Sequence, residues 1–338
     1  MSQETFSEKI IRVSYGTSIE LGLKSALNMV PPTTAYLLHD RGCEGGCSFC
    51  PRSGGMKEES RLARVSWPEY KLSSVISGIQ NSSANIKRIC LQTTFNKAVE
   101  SEVASISESL SSLKKPLCVT LHPSQTDFIP DLFNSGAEKV GIGLDAATEN
   151  VYSIHKASCW KSDFPKVLEA IRKYPKRIGV HLIFGLGNSE EEFAKLINFL
   201  HESGCSAIAL FAFTPIAGKE TSGAARPPIS SYRRIQTFRY LNSKRLINID
   251  QIKFINGQIV SFGVSNSILE KELSDGEAFR TSGCNDCNRP FYNESPRGPI
   301  YNYPAKLSHP EVVTAFSELF NDPITANKIQ IETQTAFS

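Results

Sequence analysis

From residue 35 onward the spacing of apolar and polar positions alternates between two periods. Short apolar-rich runs fall at 35–39, 87–93, 117–121, 138–145, 177–185 and 206–213, each of a length suited to a strand. The third, fourth and fifth read as strands covered on both faces, since no polar face alternates through them. Between the runs, apolar residues recur at helical spacing over 67–80, 100–114, 127–136, 162–174 and 189–203. Asn188-Ser189, followed by Glu191 and Glu192, opens the last of these as a cap. Strand and helix in this alternation predict an α/β fold, a parallel sheet curling into a full or partial TIM-like (β/α) barrel. Active groups then belong at the C-terminal ends of the strands.

The flanks are less regular. Residues 1–32 read as a helical preamble, with helical spacing over Thr17–Met29 that stops at Pro31-Pro32. The barrel occupies 33–229, its last part a Gly-, Pro- and Ala-rich loop from 214. A C-terminal extension, 230–338, follows. It begins with a basic helix over 230–247, then a hairpin turning at Asn256-Gly257, then a short helix near 266–275.

Composition narrows the class. The chain has 338 residues, 40% hydrophobic and 21% charged, enough to bury one large core. A net charge of +3 is too slight to argue for nucleic acid. No stretch approaches the apolar length of a membrane span and no N-terminal run resembles a signal peptide, so a cytoplasmic protein is expected. Nine cysteines in such a chain point to metal and reactive thiols before disulfides.

Three of them lie in Cys43-Glu44-Gly45-Gly46-Cys47-Ser48-Phe49-Cys50, spaced C-x3-C-x2-C. Three thiolates this close suit an iron–sulfur cube with one iron left open, because the next cysteine, Cys90, is 40 residues on. Half of a zinc site and packed core thiols are the competing readings. Zinc sites usually add a second pair or histidines, and the loop's glycines make poor core. The spacing, with Phe49 at the aromatic position and a predicted strand just before, resembles the motif of the radical S-adenosylmethionine (SAM) enzymes. That resemblance implies that Cys43, Cys47 and Cys50 hold a [4Fe-4S] cluster whose open iron chelates SAM.

The tail carries a second pair, Cys284 and Cys287, in a Gly-, Asn- and Pro-rich segment. A C-x2-C can be a redox pair, a zinc half-site or two cluster ligands. Cys90 and Cys118 sit early in the second and third predicted strands, where they either pack as small hydrophobes or point into the barrel. Ile89-Cys90-Leu91 and Leu117-Cys118-Val119-Thr120-Leu121 resemble the strands on which biotin synthase keeps two cysteines of its auxiliary cluster. That family's third such cysteine corresponds to Gly179 here. The resemblance implies that Cys284 and Cys287 complete a second, auxiliary [4Fe-4S] cluster with Cys90 and Cys118.

The same resemblance implies the SAM contacts. Asp145, ending Gly141-Ile142-Gly143-Leu144-Asp145, would hold ribose hydroxyls, although Gly143 stands where the family has an Asn. Ile183 would pack on adenine and Gly185 would let the backbone approach, with Asn188 in place of an acidic residue. A turn-forming role is the other reading of Asp145. Phe211 and Phe213 line the adenine or substrate pocket, or else pack in the core. Cys205 reads as structural, Cys159 has no assigned role, and His122 reads as a bystander near the third strand.

Over its whole length, including Cys284-Asn285-Asp286-Cys287-Asn288-Arg289-Pro290-Phe291-Tyr292-Asn293-Glu294 and Arg297-Gly298-Pro299-Ile300-Tyr301-Asn302-Tyr303-Pro304, the chain is similar to biotin-synthase-like subunits of the two-component lipoyl synthase. This implies a sulfurtransferase that inserts sulfur into an unactivated C–H bond of protein-bound octanoyl-lysine. The implied partners are a related radical SAM subunit, an octanoylated lipoyl domain or glycine-cleavage H protein, and a reductant of ferredoxin or flavodoxin type. The acyl chain would run past Phe211, Phe213, Phe291 and Tyr292. Arg289 or Arg297 would steady a cluster or a SAM carboxylate, or simply stay solvated. A radical SAM enzyme for another substrate, rear cysteines used for electron transfer, and a zinc module are the competing readings.

Overall fold

A computed structural model describes residues 9–53, 61–81, 85–205, 207–216 and 220–321. Among the described residues there are twelve strands: β1 (Ile10–Val13), β2 (Thr34–His39), β3 (Arg61–Leu62), β4 (Val65–Ser66), β5 (Glu69–Lys71), β6 (Arg88–Thr93), β7 (Leu117–Leu121), β8 (Lys139–Asp145), β9 (Ile178–Phe184), β10 (Ala207–Ala212), β11 (Lys253–Ile255) and β12 (Gln258–Ser261). Eight of them form one sheet in the order β10-β9-β8-β7-β6-β2-β1-β5. The six from β2 to β10 run parallel, while β1 and β5 extend one edge antiparallel. β10 and β5 are the two edges, so the barrel is partial rather than closed.

The parallel strands are the apolar runs of the sequence, and they are buried along most of their lengths. Crossover helices α2 (Leu72–Asn81), α3 (Glu100–Ser111), α4 (Ile129–Asn134), α5 (Glu149–Lys156), α6 (Trp160–Lys173) and α7 (Glu190–Glu202) connect them. These follow α1 (Tyr15–Glu20). In α7 the predicted cap is a full capping box between Ser189 and Glu192. α5 had no separate sequence signal.

The preamble departs from expectation. The helix expected over Thr17–Met29 is only α1, which gives way to a left-handed turn at Gly22 (φ 69°). The segment before it is β1, part of the main sheet, because Arg12 and Val13 pair with Leu38 and Leu37 of β2. Leu27 and Met29 are left 97% and 79% exposed.

Beyond the barrel, α8 (Ile229–Ser243) packs on α7. Its Arg234 is fully buried against Glu190, with bonds of 2.9 and 2.6 Å, and Glu190 also accepts from Ile259 N–H at 2.8 Å. β11 and β12 form the expected hairpin, with Asn256 and Gly257 both at positive φ as such a tight turn requires. α9 (Asn266–Leu273) and α10 (His309–Glu318) complete the extension. The irregular tail between them lies along the open side of the sheet. Ser282 and Asn293 bond to β10 at Leu210 N–H and Ala212 C=O, while Asn288 bonds to Thr33 N–H just before β2. No helix among the described residues is long and apolar enough to cross a membrane.

Candidate active site

The two thiol groups lie at opposite ends of the barrel. Cys43, Cys47 and Cys50 are on the loop that leaves the C-terminal end of β2. That loop is tied to its neighbours by backbone-directed bonds. Glu44 N–H donates to Phe95 C=O at 2.8 Å, Thr94 donates to Gly42 C=O at 2.7 Å, and Ser48 N–H donates to His155 C=O at 2.9 Å. Ser53 clamps the end of the loop, with Oγ 2.6 Å from Cys47 C=O and 2.9 Å from Cys50 C=O. Gly45 keeps the space between two thiols free, since a Cβ there would lie 3.4 Å from Cys43 Sγ and 4.0 Å from Cys47 Sγ.

Burial pushes the Cys50 thiol up to about 12, with Cys47 and Cys43 adding to the rise, and burial likewise raises Cys47. The thiols are thus close enough to repel one another as thiolates, a repulsion that cationic iron relieves. Among the described residues no three ligating groups close on a mononuclear metal position. A cube instead takes its thiolates on separate irons. The donor set fits a cluster bound by Cys43, Cys47 and Cys50.

Beside this loop Lys156, at the end of α5, donates to Asp145 Oδ2, and both side chains are nearly buried. Cys47 Sγ lies 3.5 Å from Lys156 C=O. Burial works against the Lys156 ammonium, but Asp145 and then Cys47 hold its pKa above the usual lysine value. Asp145 ends β8 at positive φ (66°), where the register to β9 slips by one residue. The slip turns its carboxylate into the barrel mouth. Lys156, Ser48 and Ser53 were missed by sequence reading. A lysine ending a helix looks solvated, and only the crossover geometry brings it over Asp145.

A cavity of about 870 Å³, its open mouth included, begins beside this loop. Phe49, Asp145, Ile183, Phe211, Phe213 and Tyr292 all line it. Phe291 does not; it faces a groove on the outer surface with Tyr15 and Leu27. Gly185 (φ 111°) sits just past Ile183, and a Cβ there would fall 2.8 Å from Pro227 Cδ and 3.0 Å from Phe213 Cβ. Asn188 holds the loop after β8, its Oδ1 accepting from Ala147 N–H at 2.9 Å.

The second cavity, about 460 Å³, is at the opposite end, lined by the first residues of four parallel strands: Thr34, Arg88, Lys139 and Ala207. Cys90, Cys118, Cys284 and Cys287 all line it. Tyr36, Cys90 and Cys118 are register partners on β2, β6 and β7, which points all three side chains inward. The tail supplies the other two thiols. Gly283 (φ 124°) lies against Ala209, where a Cβ would fall 3.2 Å away. Tyr36 Oη accepts from Asn288 and Arg289 N–H at 3.2 and 2.7 Å and touches Cys287 Sγ at 3.4 Å. Gly141 and Gly179, register partners on β8 and β9, leave the room.

The thiols interact here as well. Cys118 donates to Cys284, holding Cys284 below and Cys118 above the usual thiol range. Burial pushes Cys90 up to about 12. Arg289 is half-buried close to these thiols, which raise its pKa against the cost of burial. Four thiols lining one cavity with a half-buried guanidinium beside them fit a four-thiolate cluster, whose negative charge the arginine offsets. Cys205 is buried elsewhere, its thiol 3.4 Å from Ala207 C=O, and Cys159 is exposed at the start of α6. His122 caps the turn after β7, accepting from Ser124 N–H at 3.2 Å, and stacks on Phe95 at 4.3 Å.

The chain is thus a partial parallel barrel with a three-thiol loop after its first parallel strand, a donor set that fits an iron–sulfur cluster. The model of the radical SAM superfamily matches residues 37–200. That match covers a little under half of the chain, from β2 through most of α7. A biotin synthase of Sulfurihydrogenibium sp. (strain YO3AOP1) is 24% identical over 237 residues, 67% of this chain and 69% of that one. The ribosomal protein uS12 methylthiotransferase RimO of Dechloromonas aromatica (strain RCB) is 25% identical over 230 residues, 58% of this chain and 48% of RimO. The chain therefore spans about half the length of that relative. Among solved structures, the [FeFe]-hydrogenase maturase HydG superposes with a TM-score of 0.51 at 11% identity, covering 62% of this chain and 50% of HydG. Methylornithine synthase, PylB, gives 0.50 at 11% identity over 62% of each chain. These two likenesses bear on the fold alone.

Proposed function

We propose that this chain inserts sulfur into an unactivated C–H bond, as one subunit of a lipoyl synthase acting on protein-bound octanoyl-lysine. The observation that carries the reading is the meeting of Cys90, Cys118, Cys284 and Cys287 in one cavity, in a barrel whose other end holds Cys43, Cys47 and Cys50. The two kinds of curated relative described above, a biotin synthase and a methylthiotransferase, support sulfur chemistry as the class. When bound, the loop cluster with SAM supplies a 5′-deoxyadenosyl radical, and the rear cluster supplies sulfide.

The chain's own residues do the rest. Asp145 faces the upper cavity beside Cys50, placed to accept from ribose hydroxyls, and the ion pair with Lys156 holds its carboxylate in position. Phe49, Ile183, Phe213 and Tyr292 give that cavity apolar sides that suit an adenine ring and an alkyl chain and exclude water. The related partner subunit, the octanoylated carrier domain and a ferredoxin- or flavodoxin-type reductant belong to this proposal.

The test is iron and sulfide content of the anaerobically reconstituted protein, followed by turnover of an octanoyl-lysine peptide with SAM, reductant and the partner subunit. About eight irons falling to about four in a Cys43/Cys47/Cys50 triple alanine variant is expected, since each cube holds four. About four falling to none removes the sulfur donor and with it the proposal. A rear cluster that survives turnover intact assigns those cysteines to electron transfer instead.

A further inference from the structure

Two residues line both cavities: His181 of β9 and Arg289 of the tail. The upper cavity ends on them, and the thiol cavity begins behind them. Each is aimed by its neighbours. A Cβ on Gly141 would lie 2.9 Å from His181 Nε2, so the imidazole lies over the bare backbone of β8. Arg289 has a left-handed backbone (φ 36°) and its N–H donates to Tyr36 Oη. Phe211 braces both, with the guanidinium 4.3 Å above its ring and the imidazole edge-on at 5.6 Å.

This end wall differs from the sides of the cavity. The sides are apolar, whereas the wall is a guanidinium and an imidazole. Arg289 Nε has no hydrogen-bond partner and the side chain no carboxylate partner among the described residues. Burial, with Arg289 next, keeps His181 neutral. A methylene pushed past the wall would strip solvation from both groups and return no hydrogen bond.

We propose that His181 and Arg289, braced by Phe211, form the polar end wall of the substrate channel and set the length of acyl chain that it accepts. The inference rests on the acyl-chain reading above and adds the residues that select chain length. Each methylene buried along the apolar sides tightens binding by about fourfold. Affinity then rises with chain length up to the wall and falls beyond it.

The experiment measures, by calorimetry without reductant, the affinity of lysine-acylated peptides from hexanoyl to dodecanoyl for the reconstituted protein with SAM. Wild type should tighten about sixteenfold from hexanoyl to octanoyl and weaken at least fivefold by dodecanoyl. His181→Ala should move the optimum to decanoyl or longer, and His181→Asn, which keeps a polar wall, should hold it at octanoyl. An optimum that His181→Ala leaves in place, or a wild-type affinity still rising at dodecanoyl, overturns the end wall while leaving the acyl reading intact. If no acyl peptide of any length binds wild type, the acyl reading fails and the wall with it.

Discussion

Lys156 and Asp145 form a buried ion pair between the end of one crossover helix and the end of the strand before it, directly beneath the three-cysteine loop. Removing either partner leaves the other charge buried without its counterion. Lys156→Met should destabilise the protein by about 3 kcal/mol in urea unfolding. Asp145→Leu should cost a similar amount, and the double variant should cost clearly less than the sum of the two. Strict additivity of the two single changes would show that the pair does not interact.

The tail depends on one phenol. Tyr36→Phe removes the acceptor for two backbone N–H groups, Asn288 and Arg289, in a buried setting. A loss of about 2 kcal/mol is expected, with faster amide exchange confined to 284–293. Unchanged exchange there would mean that the remaining bonds to β2 and β10 hold the tail alone.

Iron loading should release protons. Burial and neighbouring thiols keep Cys50 protonated up to about 12, with Cys47 also raised. Binding at pH 7 should therefore release about two protons, one each from Cys50 and Cys47, and incorporation should fall as pH is lowered. The raised values also mean that the iron-free protein loses stability as pH rises above the ordinary thiol value. Titration of a weakly buffered sample during reconstitution measures the release, and release of less than one proton would contradict the raised values.

His122 makes the protein acid-sensitive. Burial, with Lys156 next, depresses its pKa to about 3. The unfolded chain therefore takes up a proton near the ordinary histidine value that the folded chain refuses, and stability falls as pH drops from about 6.5 toward 3. His122→Asn keeps an acceptor for Ser124 N–H and removes the titration. Its stability, measured by urea unfolding at pH 7 and pH 5, should fall by about 1 to 2 kcal/mol less than that of wild type. Equal losses in the two proteins would exclude His122 as a source of the acid sensitivity.

The alternation of periods fixed the six parallel strands to within a residue or so, because a strand buried on both faces has no polar face to disguise it. The three-cysteine loop was equally legible, since its ligands are local in the chain. The early strand positions of Cys90 and Cys118 left packed hydrophobes and inward thiols equally open, and the register of β6 with β7 decided it. Other features depended on residues far apart in sequence. The preamble strand β1 was invisible because pairing with β2, not its own composition, makes it a strand. Lys156 reached Asp145 only because α5 runs back over the end of β8, and His181 gained meaning only from Gly141, one strand away. The rear thiol site needs β6, β7 and a tail nearly 200 residues later. The tail meets them because the sheet stays open between β10 and β5, leaving edge groups and interior space that the tail's Ser282, Asn288 and Asn293 satisfy. Local spacing therefore specified the barrel and its first site, whereas long-range hydrogen bonding decided where the second set of thiols comes together.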